Sequence, residues 1–461
     1  MSGESSREHI LVLGLGVSGM AAADLAVQRG ARVTVLDTGD GLRLRERSQS
    51  LACRGVDVRL EWNESAWDAS VDLAVISPGI GQDSLLGKVC ASLSCPVVSE
   101  LEYGFQYCSC PILAITGTNG KTTTVELVTH CLRHAGLAVM AAGNIGKALS
   151  EAATKSSELD FLVVEVSSFQ LERVRAFAPL VAAVLNVTPD HLDRYPRFDD
   201  YFEAKLRLLQ NVGGLSRIVL REDLWELEHV RRLVSGEPGS PITFTSRDSL
   251  FSEYFLSLDG VLCWRAPTGV VRLLEREELK LHGRHNVENA LAALAVCQAA
   301  GLNPVDLVPY VRSFVPTPHR LELVDVHEGV RYVNDSKATN MDAVRRAIVS
   351  TEEEAPGRIL LLAGGLDKDA DFAPLVPLLE KYVAEVFLIG RCRERLAKQW
   401  GHVVSCKMFV SLAAAVNAAV DSASSGDTIL LSPGCASQDM FADYAERGQE
   451  FCNLVKRRIG E

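Results

Sequence analysis

The chain repeats one pairing throughout its length: a short apolar run, then a longer amphipathic stretch. "HILVLG" stops at Gly14, "ARVTVLD" at Asp37 and "VDLAVISPG" at Gly79. "PILAITG", "FLVVEV" (161–166) and "VAAVLNVT" (181–188) extend the series, and "RYVNDS", "ILLLAGG", "EVFLIG" and "TILLSPG" repeat it in the last third. Runs this apolar suit strands buried on both faces, the condition of a parallel sheet covered by helices. The alternation therefore requires α/β domains. Most of the runs end directly in Gly, Pro, Ser or Asn. In open parallel sheets ligands bind beyond the carboxyl ends of the strands, so these turns are where chemistry is expected.

A length of 461 residues exceeds what one ordinary core organises. The pattern breaks at 96–104, where Pro96 and "SELEYG" intervene, and again at "SFVPTPHR", where Pro316 and Pro318 stop any helix. These breaks predict three domains, 1–99, 100–316 and 317–461, each a parallel or mostly parallel sheet with flanking helices. The net charge of −12 argues against a nucleic-acid partner, which calls for a basic stripe. No apolar run approaches the ~20 residues that span a bilayer, so no membrane association is expected. The 12 cysteines contain no C-x-x-C pair and no zinc spacing, and they read as free thiols of a cytoplasmic protein. A monomer is expected.

"GLGVSG" (14–19) follows the first strand and opens a helix, and Asp37 closes the second strand. Glycines let the backbone approach a diphosphate at a helix N-terminus, and a distal acid completes the dinucleotide fingerprint of a Rossmann-like domain. The motif calls for a diphosphate-bearing ligand and leaves NAD, FAD or another such molecule open.

"GTNGKTTT" (117–124) lies between a strand and a helix. The familiar phosphate loop is G-x-x-x-x-G-K-[ST]. Here only Thr118 and Asn119 separate Gly117 from Gly120, so the loop is two residues short. Its backbone amides still suit phosphate, Lys121 suits the β- and γ-phosphates, and the Thr122 hydroxyl suits Mg²⁺. Glu165 interrupts an apolar strand, and a buried carboxylate needs a cation; Mg²⁺ is favoured over Arg or Lys because the sheet already carries a phosphate loop. "NVTPDHLDRY" (186–195) ends another strand with a cluster of polar groups. In "FDDYFEAKLRLL" (198–209), Lys205 falls on the helical stripe of Phe198, Phe202 and Leu209, where lysines usually snorkel outward. Asn286 and Asn289 share one side of a further helix and suit either a nucleotide or a cap.

Together "GTNGKTTT", "EVSSFQLE", "NVTPDHLDRY", "AKLRL", "GRHNVENALAA", "PHRLE", "NDSKATN" and "LSPGCASQDMF" resemble the Mur ligases of peptidoglycan synthesis, in order and over nearly the whole chain. The shortened loop is that family's ATP loop, and "NDSKATN" is similar to the stretch found in the members that add D-glutamate. The resemblance implies a Rossmann-like N-terminal domain, a P-loop-type central ATPase domain and a Rossmann-like C-terminal domain. It implies an ATP-dependent ligase joining UDP-N-acetylmuramoyl-L-alanine to D-glutamate through an acyl phosphate, with Mg²⁺ at two sites. ATP would meet Gly117, Thr118, Asn119, Gly120, Lys121, Thr122, Thr123, Asn286, Asn289, Arg320 and Asp335.

The UDP-substrate would meet Leu15, Gly16, Ser18, Asp37, Ser77, Gly79, Asn144 and Ser167. D-Glutamate would meet Lys337, Thr339, Lys368, Ser437, Gln438 and Tyr444. Thr122 and Glu165 would hold one Mg²⁺, and His191 with Lys205 as its carbamate the other, which makes Lys121, Glu165, His191 and Lys205 the catalytic set. The chain departs from the family pattern at Gln438 and Tyr444, where Leu and Phe are frequent. The rivals are another Mur-type or folylpolyglutamate-type ligase and, in a different class, an NAD-dependent oxidoreductase or dinucleotide sensor. The last class leaves Lys121, Glu165 and Lys205 without a role.

Overall fold

The computed structural model describes residues 7–189, 194–236, 239–281, 283–316, 318–355, 357–366 and 372–460. The apolar runs form three sheets. The first has the spatial order Asp57–Arg59, Arg32–Leu36, His9–Leu13, Leu73–Ile76, Val97–Ser99, with every pairing parallel. The order reverses beside His9–Leu13, so "GLGVSG" opens at the switch point where open α/β sheets take ligands.

The second sheet runs Gly269–Glu275, Val261–Ala266, Tyr254–Leu256, Ile242–Thr245, Ile218–Arg221, Val181–Val184, Ile112–Thr116, Phe161–Glu165, Val139–Gly143. It is parallel except for the two antiparallel pairings at the Gly269–Glu275 edge. Strand Ile112–Thr116 is fully buried, between Val181–Val184 and Phe161–Glu165. The third sheet runs Glu322–His327, Val330–Asn334, Thr428–Leu431, Ile359–Gly364, Val383–Ile389, Ser405–Met408, and only its first pairing is antiparallel. By contacts the described chain forms two compact units: 1–279 with 287–314, and 280–286 with 315–461. The first unit holds two of the sheets and the second holds the third.

Within the first unit, helix Glu100–Phe105 follows the last strand of the first sheet, and its buried acids join it to the second sheet's surroundings. Glu102 accepts the backbone N–H groups of Arg175 (2.9 Å), Ala176 (2.8 Å) and Phe177 (2.9 Å). Glu100 accepts from the Ser150 amide at 2.6 Å. A carboxylate taking three amides stands in for the strand partners those amides lack. Glu102→Ala leaves three donors without their acceptor and is expected to cost about 2–4 kcal/mol in urea unfolding, with Glu102→Gln losing less. Equal stability of Glu102→Ala and the parent shows that the three amides find water instead.

Candidate active site

Three adjacent strand ends of the second sheet deliver the central site. The loop 117–120 follows Ile112–Thr116 and feeds helix Lys121–His134 through Gly120, whose φ of +80° is left-handed. A Cβ on Gly120 would lie 2.1 Å from Asn289 Oδ1, so the loop and helix Arg284–Ala299 meet there with no room for a side chain. The loop is pinned by the neighbouring strand end. Thr118 N donates to Asn186 O at 2.9 Å, Asn119 N to Asn186 Oδ1 at 2.9 Å, and Asn186 Nδ2 to Asn119 O at 3.1 Å. Thr118 Oγ1 donates to Thr188 O (3.1 Å), accepts from Thr188 N (3.0 Å) and lies 3.1 Å from Tyr201 OH.

Lys121 Nζ folds back onto the loop and donates to Gly117 O (2.7 Å) and Thr118 O (2.9 Å). Lys205 Nζ reaches the same Gly117 oxygen at 2.9 Å and lies over the Tyr201 ring, 4.7 Å from its centre. Snorkelling is thus not what this lysine does: only 2% of Lys205 is exposed. Glu165, also 2% exposed, accepts from Thr122 Oγ1 and from Asn144 Nδ2, both at 2.8 Å. No Lys, Arg or His among the described residues forms an ion pair with it. A buried carboxylate and a hydroxyl at a phosphate loop form a hard-oxygen donor set that fits Mg²⁺. The expected cation partner of Glu165 is therefore not a described side chain. His191 lies outside the described residues.

On the first sheet, Asp37 turns both oxygens to backbone amides, Leu15 N at 2.6 Å and Gly39 N at 2.8 Å. Ser77 Oγ donates to Gly14 O at 3.3 Å, and a Cβ on Gly19 would lie 1.8 Å from Gly14 O. Gly16 caps helix Val17–Gln28 beside Ser18, and Gly79 is exposed on the loop after Leu73–Ile76. A hollow opens here, lined by Ser77, Ile80, Gln82, Phe169, Glu172 and Arg194 among others. Arg194 forks onto Glu172 (Nε–Oε1 3.0 Å, Nη2–Oε2 2.7 Å), donates to Pro78 O at 3.0 Å and stacks over Phe169. Tyr195 OH adds a 2.7 Å bond to Glu172. The hollow thus joins the "GLGVSG" end to the ends of the central strands. Asn144 holds Glu165, and Ser167 caps a short helix reciprocally with Gln170. Sequence reading gave Phe169, Glu172 and Arg194 no role, although all three stand inside the quoted motifs "EVSSFQLE" and "NVTPDHLDRY".

In the second unit, Asp335 follows strand Val330–Asn334 and accepts from Ser432 Oγ (2.9 Å) and Leu321 N (3.3 Å). Burial pushes its carboxyl up to about 7, against the pull of those hydrogen bonds and of Arg320 and Arg346. Arg447, 1% exposed, donates to Ser336 Oγ (3.0 Å), Ser336 O (2.8 Å) and Cys435 O (3.2 Å), locking the two strand-end loops together. Lys337 Nζ lies 5.4 Å from the centre of the Tyr444 ring. Ser437 is buried, and its hydroxyl has no partner among the described residues. Gln438 is exposed and Thr339 half-buried. Asn286 and Arg320 also belong to this unit, and Lys368 lies outside the described residues.

The sequence matches family models over each third of its length. Residues 8–98 match the Mur ligase MurD-like N-terminal domain, 115–297 the Mur ligase middle domain, and 319–435 the Mur ligase glutamate ligase domain. A UDP-N-acetylmuramoylalanine–D-glutamate ligase of Geobacter metallireducens is 37% identical over 448 residues, 97% of each chain. The enzyme of the same name from Trichlorobacter lovleyi is 38% identical over 449 residues, 97% of this chain and 98% of its own. The chain belongs to the Mur ligase family. Its three-domain α/β fold is also that of solved Mur ligases: a UDP-N-acetylmuramate–alanine ligase from Thermotoga maritima superposes with a TM-score of 0.56 at 18% identity, covering 98% of this chain and 99% of the other. No helix among the described residues of this Mur ligase is long and apolar enough to cross a membrane.

The sign of the Asp335 effect follows from its raised value. Below its unfolded value near 3.8 both states hold the proton. As pH rises from there to about 7, the unfolded chain ionises while the folded carboxyl stays protonated, so stability falls and then levels off. Asp335→Asn is expected to flatten this slope for the unit containing it, compared in urea unfolding at about pH 5 and about pH 8. An identical slope in the variant assigns the pH dependence to another group.

Proposed function

We propose that this Mur ligase joins UDP-N-acetylmuramoyl-L-alanine to D-glutamate with ATP as co-substrate, making a precursor of peptidoglycan. The reading rests on one observation above the rest: a shortened phosphate loop whose Gly117 carbonyl gathers the ammonium groups of Lys121 and Lys205 beside a buried Thr122–Glu165 pair. A carboxylate is a poor acyl donor to an amine. Transfer of the γ-phosphoryl group to the alanine carboxylate makes an acyl phosphate, the D-glutamate amine attacks its carbonyl carbon, and phosphate leaves from the tetrahedral intermediate. Both steps bring anions together, so alignment and charge neutralisation are the protein's main tasks.

The backbone amides in the first turn of helix Lys121–His134 receive the ATP phosphates, and Lys121 exchanges its loop carbonyls for the transferring phosphoryl group. Thr123, Asn286, Asn289, Arg320 and Asp335 complete nucleotide binding. Thr122 and Glu165 would hold one Mg²⁺, and His191 with carbamylated Lys205 a second. Bound there, Mg²⁺ would offset charge on the phosphate oxygens.

On the first sheet, Leu15, Gly16, Ser18, Asp37, Ser77 and Gly79 seat the UDP portion. Asn144 and Ser167 orient the part of the substrate nearer the loop, with Arg194 bracing the hollow between them. Lys337, Thr339, Lys368, Ser437, Gln438 and Tyr444 receive D-glutamate, and the unpartnered Ser437 hydroxyl suits that task. The enzyme works as a monomer in the cytoplasm on soluble substrates. Phosphate release from ATP in the presence of UDP-N-acetylmuramoyl-L-alanine, dependent on D-glutamate and absent with L-alanine, tests the assignment; release without any D-glutamate requirement removes it.

Lys121→Ala is expected to lower kcat by about 10²–10³-fold, as loss of a donor to developing charge does. Calorimetric affinity for the UDP-substrate stays unchanged, because that ligand is read by the first sheet. Parental turnover in this variant rules out the nucleotide role of the loop.

Lys205 joins a buried amine to the same chemistry. CO₂ adds to a neutral amine, which for an ordinary lysine at pH 7 is about one part in 10³. CO₂ addition to the Lys205 amine makes a carbamate. That change converts a positive group into an anionic oxygen ligand. Lys205→Ala is expected to be nearly inactive and partly restored by acetate, whereas Lys205→Arg stays inactive with or without it. Turnover of Lys205→Arg at the parental rate excludes the carbamate.

A further inference from the structure

Two of the buried thiols stand against each other in the C-terminal unit. Cys392 Sγ and Cys435 Sγ are 3.3 Å apart, and the residues are 4% and 3% exposed. They come from different strand ends: Cys392 follows Val383–Ile389, and Cys435 follows Thr428–Leu431. A third strand end, after Ile359–Gly364, is wedged between them. Cys392 N donates to Gly365 O at 3.0 Å, and a Cβ on Gly365 would lie 3.2 Å from Cys435 Cβ and 2.2 Å from Ala436 O. Leu366 and Ala436 exchange backbone hydrogen bonds of 2.8 and 3.1 Å. Ser437, the next residue along, belongs to the segment assigned above to D-glutamate, and its carbonyl anchors Met440 N (3.0 Å) and Phe441 N (2.9 Å).

We propose that Cys392 and Cys435 are a modification site: hydroperoxides oxidise the pair to a disulfide, and that bond lowers affinity for D-glutamate by shifting the 435–441 segment. The second half rests on the assignment of this segment to the amino acid.

The thiolate of one cysteine attacks a peroxide oxygen, the O–O bond breaks and water departs after protonation, leaving a sulfenic acid. The second thiolate attacks that sulfur, the S–O bond breaks and a second water departs. Two thiols and one hydrogen peroxide thus give one disulfide and two waters. Cys392 ionises more readily than an ordinary thiol because Cys435 hydrogen-bonds to it, while Cys435 is pushed up by the same bond and by burial. The attacking and resolving roles are thereby divided. Closing 3.3 Å to the ~2.05 Å of a disulfide draws the sulfurs together by roughly 1.2 Å. With Gly365 packed against both loops, a displacement at Cys435 passes into its own backbone.

The test treats the full-length protein with hydrogen peroxide, blocks remaining thiols and digests it for mass spectrometry. A peptide pair joined through Cys392 and Cys435, lighter by two hydrogens, is expected. KM for D-glutamate should rise about 10-fold, the loss of one good polar contact, with KM for ATP unchanged and recovery under dithiothreitol. Cys392→Ser and Cys392→Ala should keep basal activity and lose the peroxide response. Absence of the joined peptide, or equal inactivation of the parent and Cys392→Ser, overturns the modification site. A joined peptide with unchanged KM for D-glutamate overturns its link to the amino acid. Phosphate release by the reduced enzyme tests the ligase assignment separately.

Discussion

Two lysine ammonium groups meet at one carbonyl oxygen, that of Gly117, at 2.7 and 2.9 Å. Like charges so close repel, and one of them, Lys205, is almost wholly withdrawn from water. The aromatic face of Tyr201 and the carbonyl dipoles of the loop hold the arrangement together. The Lys121 ammonium group stands at the open side of a phosphate-type loop, a placement that suits a polyanion. The rest of the central sheet serves that geometry. Ile112–Thr116 carries the loop, Phe161–Glu165 supplies the acid, and the strand end after Val181–Val184 supplies Asn186 and Thr188 as fasteners.

The three sheets place their charged groups differently. The first sheet presents glycine backbone and a helix N-terminus, and its one motif acid, Asp37, is spent on holding Leu15 and Gly39. That suits a diphosphate whose charge is spread and never transferred. The central loop adds the Lys121 ammonium group, which suits a migrating phosphoryl group. In the C-terminal unit the organising cation, Arg447, is buried and hydrogen-bonded to Ser336 and Cys435, so it holds the two strand-end loops together.

Strand identity and order of domains were legible because runs such as "PILAIT" and "ILLLAG" are apolar on both faces and stop at turn residues, a local signal that needs no tertiary context. The phosphate loop, Glu165 and Lys205 were legible as violations: a short loop, a carboxylate inside an apolar strand and a lysine on an apolar stripe. Rank by exposure failed for Lys205, since helical periodicity cannot tell a snorkelling lysine from one met by a carbonyl brought from 88 residues away. The Glu172–Arg194–Tyr195 network was hidden for the same reason: its members lie 22 and 23 residues apart, and only the fold brings them together at the hollow beside the first sheet. Glu102 lies in the "SELEYG" break, which carries no periodic signal, and only the fold shows three amides waiting for it.

The missing two residues of the phosphate loop now have a structural explanation. A longer loop can wrap a phosphate by its own curvature. One with only Thr118 and Asn119 between its glycines cannot, and it must be held from outside. The Asn186 side chain and carbonyl take both amides, the Thr188 backbone takes the Thr118 hydroxyl, and the Asn289 carboxamide fills the space that a Gly120 side chain would need. These contacts come from the neighbouring strand end after Val181–Val184 and from helix Arg284–Ala299 of the same unit. Shortening the loop therefore transfers its shape from local sequence to the packing of the central domain, which is why the segments "NVTPDH" and "HNVEN" have to accompany "GTNGKT" for the loop to work.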